Sequence, residues 1–426
     1  MLKLELEKTG LNEKLYRNAK LQKKLKLAHE NLHSMDKSSG TGWVELPSLT
    51  SKSDIQSIKD KAKEIQECAN LFIVIGVGGA VNGIKAGINL LKKASHKTEM
   101  VFIGEDFNAK RIQEILEYSK NKEVFVNVIS KSGETTETLV AFHFIEEFMK
   151  KKYKKGEYKK RIIVTTDHEK GTLRELSNKE GYYSIVFPRT IGGRYSIHSI
   201  VGLLPMAVAG INIERIISGA KVAEKEFENI ENVAYQYAQT RYLLNSKKKK
   251  TIEIIASFDH RVSSLYDWEK QLFAESEGKN KKGLFISSLN YPTDLHSYGQ
   301  FVGDGNKILF ETILTIDKQN ADLTLEKVKE TSPLYKFNGI TLNEISQATA
   351  EGVKASHFEK GVPIIELEIE ELNEEFFGYF TYFLMTTAAV SAYLFNVNPF
   401  DQPAVEDYKE KTRKIVENKN SFLTKC

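Results

Sequence analysis

A chain of 426 residues is too long for one compact core and implies two domains, or one with large additions. Its 41% hydrophobic and 28% charged residues are an ordinary globular composition, and a formal charge of +4 is too mild for a dedicated nucleic-acid binder. Two cysteines, Cys68 and Cys426, stand far apart outside any paired motif, which argues against a disulfide framework or a zinc site and suits a reducing cytoplasm.

The N-terminus, MLKLELEKTGLNEKL, is charged throughout and has no apolar core, so no signal peptide is expected. Residues 11–35 are rich in helix formers with leucines at helical spacing, and residues 1–54 are expected to form a helical segment packed on the larger domain. From residue 55 the pattern alternates. Strand-like runs at 71–76, 99–104, 123–130, 161–166 and 182–188 are separated by helix-like stretches, the βαβ rhythm of a doubly wound parallel sheet. After a mostly helical stretch, further strands are expected at 251–257, 282–288, 307–316 and 362–369. The chain therefore reads as an α/β protein of two parallel-sheet units, a smaller one at 55–190 and a larger one at 191–426 with C-terminal helices. The basic clusters at 150–161 and 247–250 lack an aromatic platform and read as solvated helix ends, with no nucleic-acid partner. Residues 376–400 carry no charge and are long enough to span a bilayer. Acidic EIEELNEE precedes them, there is no positive-inside asymmetry, and Thr, Ser, Tyr and Gly are scattered through them. They read as a buried helix, not a membrane span.

The first strand runs into a glycine loop, LFIVIGVGGAVNG at 71–83. A dinucleotide fingerprint needs G-x-G-x-x-G; here Val81 occupies the last position and Gly83 comes two residues late. Glu105 and Asp106 after the second strand could imitate a ribose-binding acid, so a nucleotide stays open beside a plain tight turn. The third strand leads into ISKSGETTET, 129–138, which crowds Ser130, Ser132, Thr135, Thr136 and Thr138 at the start of a helix. A helix cap needs one hydroxyl; five suit a phosphate cradle at the positive helix end. Lys131 adds charge to that cradle or points elsewhere.

In 263–283, Leu265, Trp268 and Leu272 recur at helical spacing and face the core, while Gln271 and Glu275 are four apart on a neighbouring face. The helix is expected to end near Gly278, so Glu275 meets the negative end of the dipole, which suits a proton-accepting carboxylate. IGGRYSIHS (191–199) presents the guanidinium of Arg194 just past two glycines. YPTDLHSYGQ (291–300) puts His296 in a loop after a strand, suited to titration near neutral pH. NPFDQPAVEDYK (398–409) sets Gln402 and Lys409 seven apart around a helix begun by Pro403. Each also has a plain reading: a salt bridge, a hydrogen-bonded loop histidine, a solvated lysine. No histidine spacing suggests a metal.

Taken in order, VIGVGGAVNG, SKSGETTET, GGRYS, QLFAESEGK, TDLHSYGQ and NPFDQPAVEDYK resemble the successive motifs of the glucose-6-phosphate isomerase family in its shorter bacterial form, from about residue 73 to 409. The resemblance implies two sugar-isomerase (SIS) domains and a cytoplasmic homodimer whose sites form between subunits. It also implies reversible interconversion of glucose 6-phosphate and fructose 6-phosphate through a cis-enediol, in glycolysis and gluconeogenesis, without metal or cofactor. By motif, Glu275 matches the base that moves a proton between sugar carbons 1 and 2. His296 matches the ring-opening group, often from the partner subunit, Lys409 its helper at the ring oxygen, and Arg194 the cation beside the enediolate. Ser130, Lys131, Ser132 and Thr135 match the phosphate loop, and Glu137 the carboxylate that orients the histidine. Gly78, Gly79, Gln271 and Gln402 match substrate contacts. Two positions depart from the family pattern. Ala80 replaces a serine, a contact worth about 1.5–3 kcal/mol if nothing substitutes for it. Glu134 replaces a threonine, and it is expected to point outward and favour the helix N-terminus. An SIS isomerase of another or broader sugar phosphate, such as mannose 6-phosphate, and a non-catalytic sugar-phosphate sensor are the competing readings. Intact Glu275, His296, Arg194 and Lys409 speak against the sensor.

Overall fold

The structure is a computed structural model that describes residues 2–34, 36, 40–92, 96–154, 156–319 and 321–423. Met35, Lys155 and Cys426, which enter the sequence reading, lie outside the described residues. Among the described residues, ten strands form two five-stranded sheets. They are β1 (Leu2–Glu5), β2 (Leu71–Ile75), β3 (Glu99–Ile103), β4 (Val124–Ser130), β5 (Ile162–Thr166), β6 (Tyr183–Val186), β7 (Ile252–Ser257), β8 (Phe285–Asn290), β9 (Leu309–Ile316) and β10 (Ile364–Ile369). The first sheet has the order β3-β2-β4-β5-β6, parallel throughout. The second has the order β1-β10-β9-β7-β8 and is parallel except for its edge strand β1, which pairs antiparallel with β10.

A parallel strand covered by helices on both faces needs apolar side chains on both, so it reads as a continuous apolar run. In β2 all five residues are buried, as are all seven of β4. The nine strands expected from such runs all form. The tenth, β1, is the exception: the expected N-terminal segment is not wholly helical, since Leu2–Glu5 forms an edge strand whose side chains alternate with charge. Nothing local commits LKLE to a strand; its register with Glu366–Ile369, over 350 residues away, does.

Helix Glu374–Leu394 opens on two glutamates and then runs into the uncharged stretch of the sequence, buried from Phe376 to Ala392. Several of its polar groups are paired inside the protein. Thr381 Oγ1 lies 2.8 Å from His198 Nε2, Ser391 Oγ accepts from Arg241 at 2.7 Å, and Tyr382 donates to the Val44 carbonyl at 2.7 Å. No helix among the described residues is long and apolar enough to cross a membrane.

One core cluster spans both sheets and this helix, and a buried charge network lies within it. Arg241, fully buried, donates to Glu253 on β7 at 2.6 Å and to Glu277 at the end of helix Ser263–Glu277. Tyr237 and Thr312 each place a hydroxyl 2.7 Å from the Glu253 carboxylate. Glu269, on the same helix as Glu277, is buried beside this network, and its Oε2 has no hydrogen-bond partner among the described residues. Burial, reinforced by the Glu253 charge, pushes the Glu269 carboxyl up to about 8, with Lys270 opposing. One guanidinium cannot neutralise three carboxylates, so Glu269 holds its proton in the folded protein at neutral pH.

Because this pKa is raised on folding, the stability it contributes is complete below the unfolded carboxylate value and is lost as pH rises through about 8. Glu269→Gln, which keeps the shape and removes the ionisation, is expected to flatten the decline in urea-unfolding stability over that range. It should make the variant the more stable protein above it, by a few kcal/mol. Parallel pH profiles of variant and parent would contradict this.

Candidate active site

In the first sheet the chain leaves β2 for β3 on one side, then returns to β4 on the other, so the crevice beyond the carboxyl ends of β2 and β4 is a topological switch point. Such crevices are where open α/β sheets bind ligands. The glycine loop and the hydroxyl loop, which leave β2 and β4, therefore sit side by side there.

The glycine loop is shaped by close approach. Gly78 has φ +58°, and a Cβ there would lie 3.1 Å from Gln271 Nε2. A Cβ on Gly79 would lie 2.4 Å from the Arg194 backbone nitrogen. Only glycines let this loop seat against both the Arg194 turn and the Gln271 helix. Ala80 instead packs its methyl against the apolar core.

In the hydroxyl loop, Ser130 Oγ and Thr135 Oγ1 lie 2.9 Å apart, and Ser130 Oγ accepts from the Gly133 N–H at 3.1 Å. The Glu134 N–H donates to Ser132 Oγ at 3.2 Å. The N-cap residue Thr135 makes no side-chain capping bond to helix Thr136–Lys152, and a helix N-terminus is a general anion-binding element. The Lys131 side chain does not enter the loop. Its ammonium donates to the carbonyls of Arg189 (3.0 Å) and Ile191 (2.7 Å), tying the loop to the segment that leads into Arg194. Burial lowers its pKa below the ordinary lysine value. Glu134 points outward as expected, but the helix N-terminus it serves is another one: its carboxylate accepts from the N–H and hydroxyl of Thr172, the first residue of helix Thr172–Glu180.

Helix Ser263–Glu277 brings Gln271 and Glu275 to the glycine loop on one face, while Leu265, Trp268 and Leu272 face the core. Arg194, in the turn Gly193–Tyr195 and 4% exposed, donates to Glu275 Oε2 at 2.9 Å through Nη1. The same Nη1 reaches Gln402 Oε1 at 3.1 Å. Nη2 donates to the carbonyls of Pro399 (2.6 Å) and Asp401 (3.4 Å), and Nε to Ser276 Oγ at 3.1 Å. Every guanidinium N–H thus has an acceptor, and the cation offsets the negative helix end beside Glu275. Gln271 Nε2 lies 3.4 Å from Glu275 Oε1, and Gln271 Oε1 accepts from Asn82 at 3.0 Å. Glu275 keeps 30% of its side chain exposed, enough to meet a ligand.

Arg194, Glu275, Gln271, Gln402, Gly78 and Gly79 therefore meet in one cluster. His296 does not join them: it is exposed in the turn Thr293–His296 after β8. Lys409 lies exposed on helix Pro403–Leu423, paired with Glu406 at 2.9 Å. Glu137 is half-buried in the first turn of helix Thr136–Lys152, and no hydrogen bond joins it to His296 among the described residues. Sequence reasoning missed Asn82, Ser276 and the carbonyls of Pro399 and Asp401. Asn82, directly after the glycine loop, was the one with a local signal. Trp268 was expected only as core, yet its indole N–H also holds the Arg194 carbonyl at 3.0 Å.

The family model for phosphoglucose isomerase matches residues 51–424. Over 377 residues the chain is 42% identical to the glucose-6-phosphate isomerase of Staphylococcus saprophyticus, which covers 87% of this chain and 85% of that protein. The corresponding Staphylococcus aureus (strain Newman) protein is 41% identical over the same coverage. Among solved structures, a hypothetical protein from Thermus thermophilus superposes with a TM-score of 0.88 at 27% identity, covering 98% of this chain and 100% of that one. A glucose-6-phosphate isomerase from Chlamydia trachomatis superposes with a TM-score of 0.78 over 98% of this chain and 89% of that one; at 15% identity this is a likeness of fold.

Both tryptophans report on the Arg194 turn, Trp268 through its hydrogen bond and Trp43 by stacking on Tyr195 with ring centroids 5.2 Å apart. Gly79→Ala is expected to push the glycine loop off that turn, costing ~1–3 kcal/mol in urea unfolding and shifting the intrinsic fluorescence of the folded protein. Glu134→Gln, which weakens only a helix cap, should cost about 1 kcal/mol or less and leave the emission where it was. A Gly79→Ala protein with native stability and emission would show that the close packing at 79 does not matter.

Proposed function

The chain belongs to the phosphoglucose isomerase family, whose reaction interconverts glucose 6-phosphate and fructose 6-phosphate, and on that premise we propose how its residues divide the work. The observation that carries the reading is the Arg194–Glu275 pair, 2.9 Å apart, with a partly exposed carboxylate and a buried cation.

Aldose–ketose exchange moves one proton between adjacent carbons, and one carboxylate on one face of the sugar can both take and return it. In our reading Glu275 is that base, with Oε1, whose one hydrogen bond among the described residues is a long one from Gln271 at 3.4 Å, taking the proton. Protonation removes the charge that Arg194 was balancing just as negative charge appears on the cis-enediolate oxygen. The guanidinium then passes from one anion to the next, and the net charge of the pocket does not change. Held by five other acceptors, Arg194 need not reorganise to do so, which is how a preorganised dipole lowers a barrier. Gln402 and Gln271 border the same pocket as hydrogen-bonding groups for sugar hydroxyls.

The phosphate is assigned to the hydroxyl loop, Ser130, Ser132 and Thr135, with the uncapped helix Thr136–Lys152 beneath it. Its binding energy holds the open-chain sugar in register. The Lys131 ammonium is left out of this cradle because it is turned to the carbonyls of Arg189 and Ile191, which take two of its three N–H groups.

We further infer a homodimer with shared sites. Support comes from the exposed positions of His296 and Lys409 outside the cluster, and from helix Pro403–Leu423, which leaves Tyr408, Ile415 and Val416 exposed. A second copy would bring its His296 to this chain's Glu275, with Glu137 orienting it, for ring opening. A cytoplasmic setting fits the free, exposed Cys68.

Glu275→Gln is expected to lower turnover of fructose 6-phosphate by about 10²–10⁴-fold in a coupled dehydrogenase assay while sugar-phosphate binding survives. Substantial residual turnover would remove Glu275 from the base role. Mixing Glu275→Gln with His296→Ala under subunit exchange should restore roughly a quarter of wild-type activity, since half the dimers then hold one intact shared site. No recovery on mixing would place both residues in one subunit's site.

A further inference from the structure

The strip Asn398–Gln402 enters the site between two cations. On one side Arg194 donates through Nη2 to the carbonyls of Pro399 and Asp401. On the other, Lys279, two residues beyond the last residue of helix Ser263–Glu277, donates to the Asn398 carbonyl and to Asp401 Oδ1 at 2.8 Å. The Lys279 side chain is only 9% exposed, and both of its hydrogen-bond acceptors lie on this strip. A nearly buried ammonium needs such partners, so the lysine and the strip constrain each other.

We propose that Lys279 is a positioning residue for the isomerisation: by gripping Asn398 and Asp401 it sets the carbonyls that hold Arg194 Nη2, and so aims Nη1 at Glu275 and the forming enediolate. This rests on the reading of Arg194 as the cation that meets the enediolate. The strip has a second anchor, independent of Lys279. Phe400 packs against Tyr195 and Tyr393, with ring centroids 5.2 and 6.4 Å away. Removing the ammonium should therefore leave the strip folded but free to rotate its carbonyls. Hydrogen bonds to a guanidinium are directional, and a small misplacement of a catalytic cation is costly in rate.

The test uses two inhibitors of one chain length, an aldonate phosphate whose carboxylate mimics the enediolate and an alditol phosphate that is uncharged at carbon 1. Arg194→Lys calibrates it. If that variant weakens both inhibitors alike, the reading of Arg194 fails and the Lys279 proposal falls with it. If Arg194→Lys selectively weakens the aldonate, Lys279→Met should raise the aldonate inhibition constant about tenfold, with the alditol constant nearly unchanged. It should also lower kcat with little effect on KM, and Lys279→Arg should restore part of both. Equal losses on the two inhibitors, or an unchanged kcat, with Arg194→Lys still discriminating, would overturn the positioning role alone. Should Lys279→Met not fold, Asp401→Asn, with its carboxylate 53% exposed, carries the same comparison: selective loss of the aldonate supports the positioning role, and equal losses overturn it.

Discussion

The guanidinium of Arg194 is the constraint around which this molecule is arranged. A cation at 4% exposure is tolerable only when every donor has an acceptor, and the acceptors come from stretches that share no local structure. Glu275 and Ser276 belong to the end of one helix, Pro399 and Asp401 lend carbonyls, and Gln402 lends a side chain. The glycine loop closes over the back of the arginine, where any side chain at 79 would collide with the Arg194 backbone. None of these segments can shift alone without stranding a buried charge. The requirement that stabilises the convergence also keeps Glu275, Gln402 and Arg194 in place relative to one another.

A second buried arginine holds the same helix from its other side. Glu275 and Glu277, two residues apart, lie on different sides of the helix end; the first turns to Arg194 and the second to Arg241 in the core. The helix end is thereby fixed between two cations, one beside the glycine loop and one among β7 and helix Glu374–Leu394. Arg241 is shared with Glu253, and Glu269 nearby remains without a cation of its own. A core that retains a protonated carboxyl gives up stability at alkaline pH while it supports the helix end that carries Glu275.

Much of the fold was legible because parallel strands buried on both faces leave continuous apolar runs, as in LFIVI and VFVNVIS. Strand β1 was not, since LKLE gains its conformation from β10. From Phe376 onward, helix Glu374–Leu394 has the uncharged composition of a membrane span or of a buried core. What distinguishes the two is where Thr381, Tyr382 and Ser391 find partners, and those partners are distant in sequence. Glu134 shows the same division: its attraction to a helix N-terminus is a local electrostatic preference, but which helix it caps depends on Thr172 lying beside it.

The residue types and their order determined by themselves what chemistry is possible: glycines that turn tightly, hydroxyls at a helix start, a carboxylate near a helix end, an arginine after two glycines. These signals are local, and each survives in the sequence because it depends on neighbours within a turn or two. Tertiary structure alone decided which of them meet. Arg194 finds Glu275 across 81 positions and Gln402 across 208, while Lys131 turns away to carbonyls 58 and 60 positions on. His296 and Lys409, equally plausible by motif, stay on the surface of the single chain. Such meetings follow from packing helices onto two sheets and from satisfying at once all the donors of a buried cation such as Arg194, a condition on the whole chain that no short stretch of it can express.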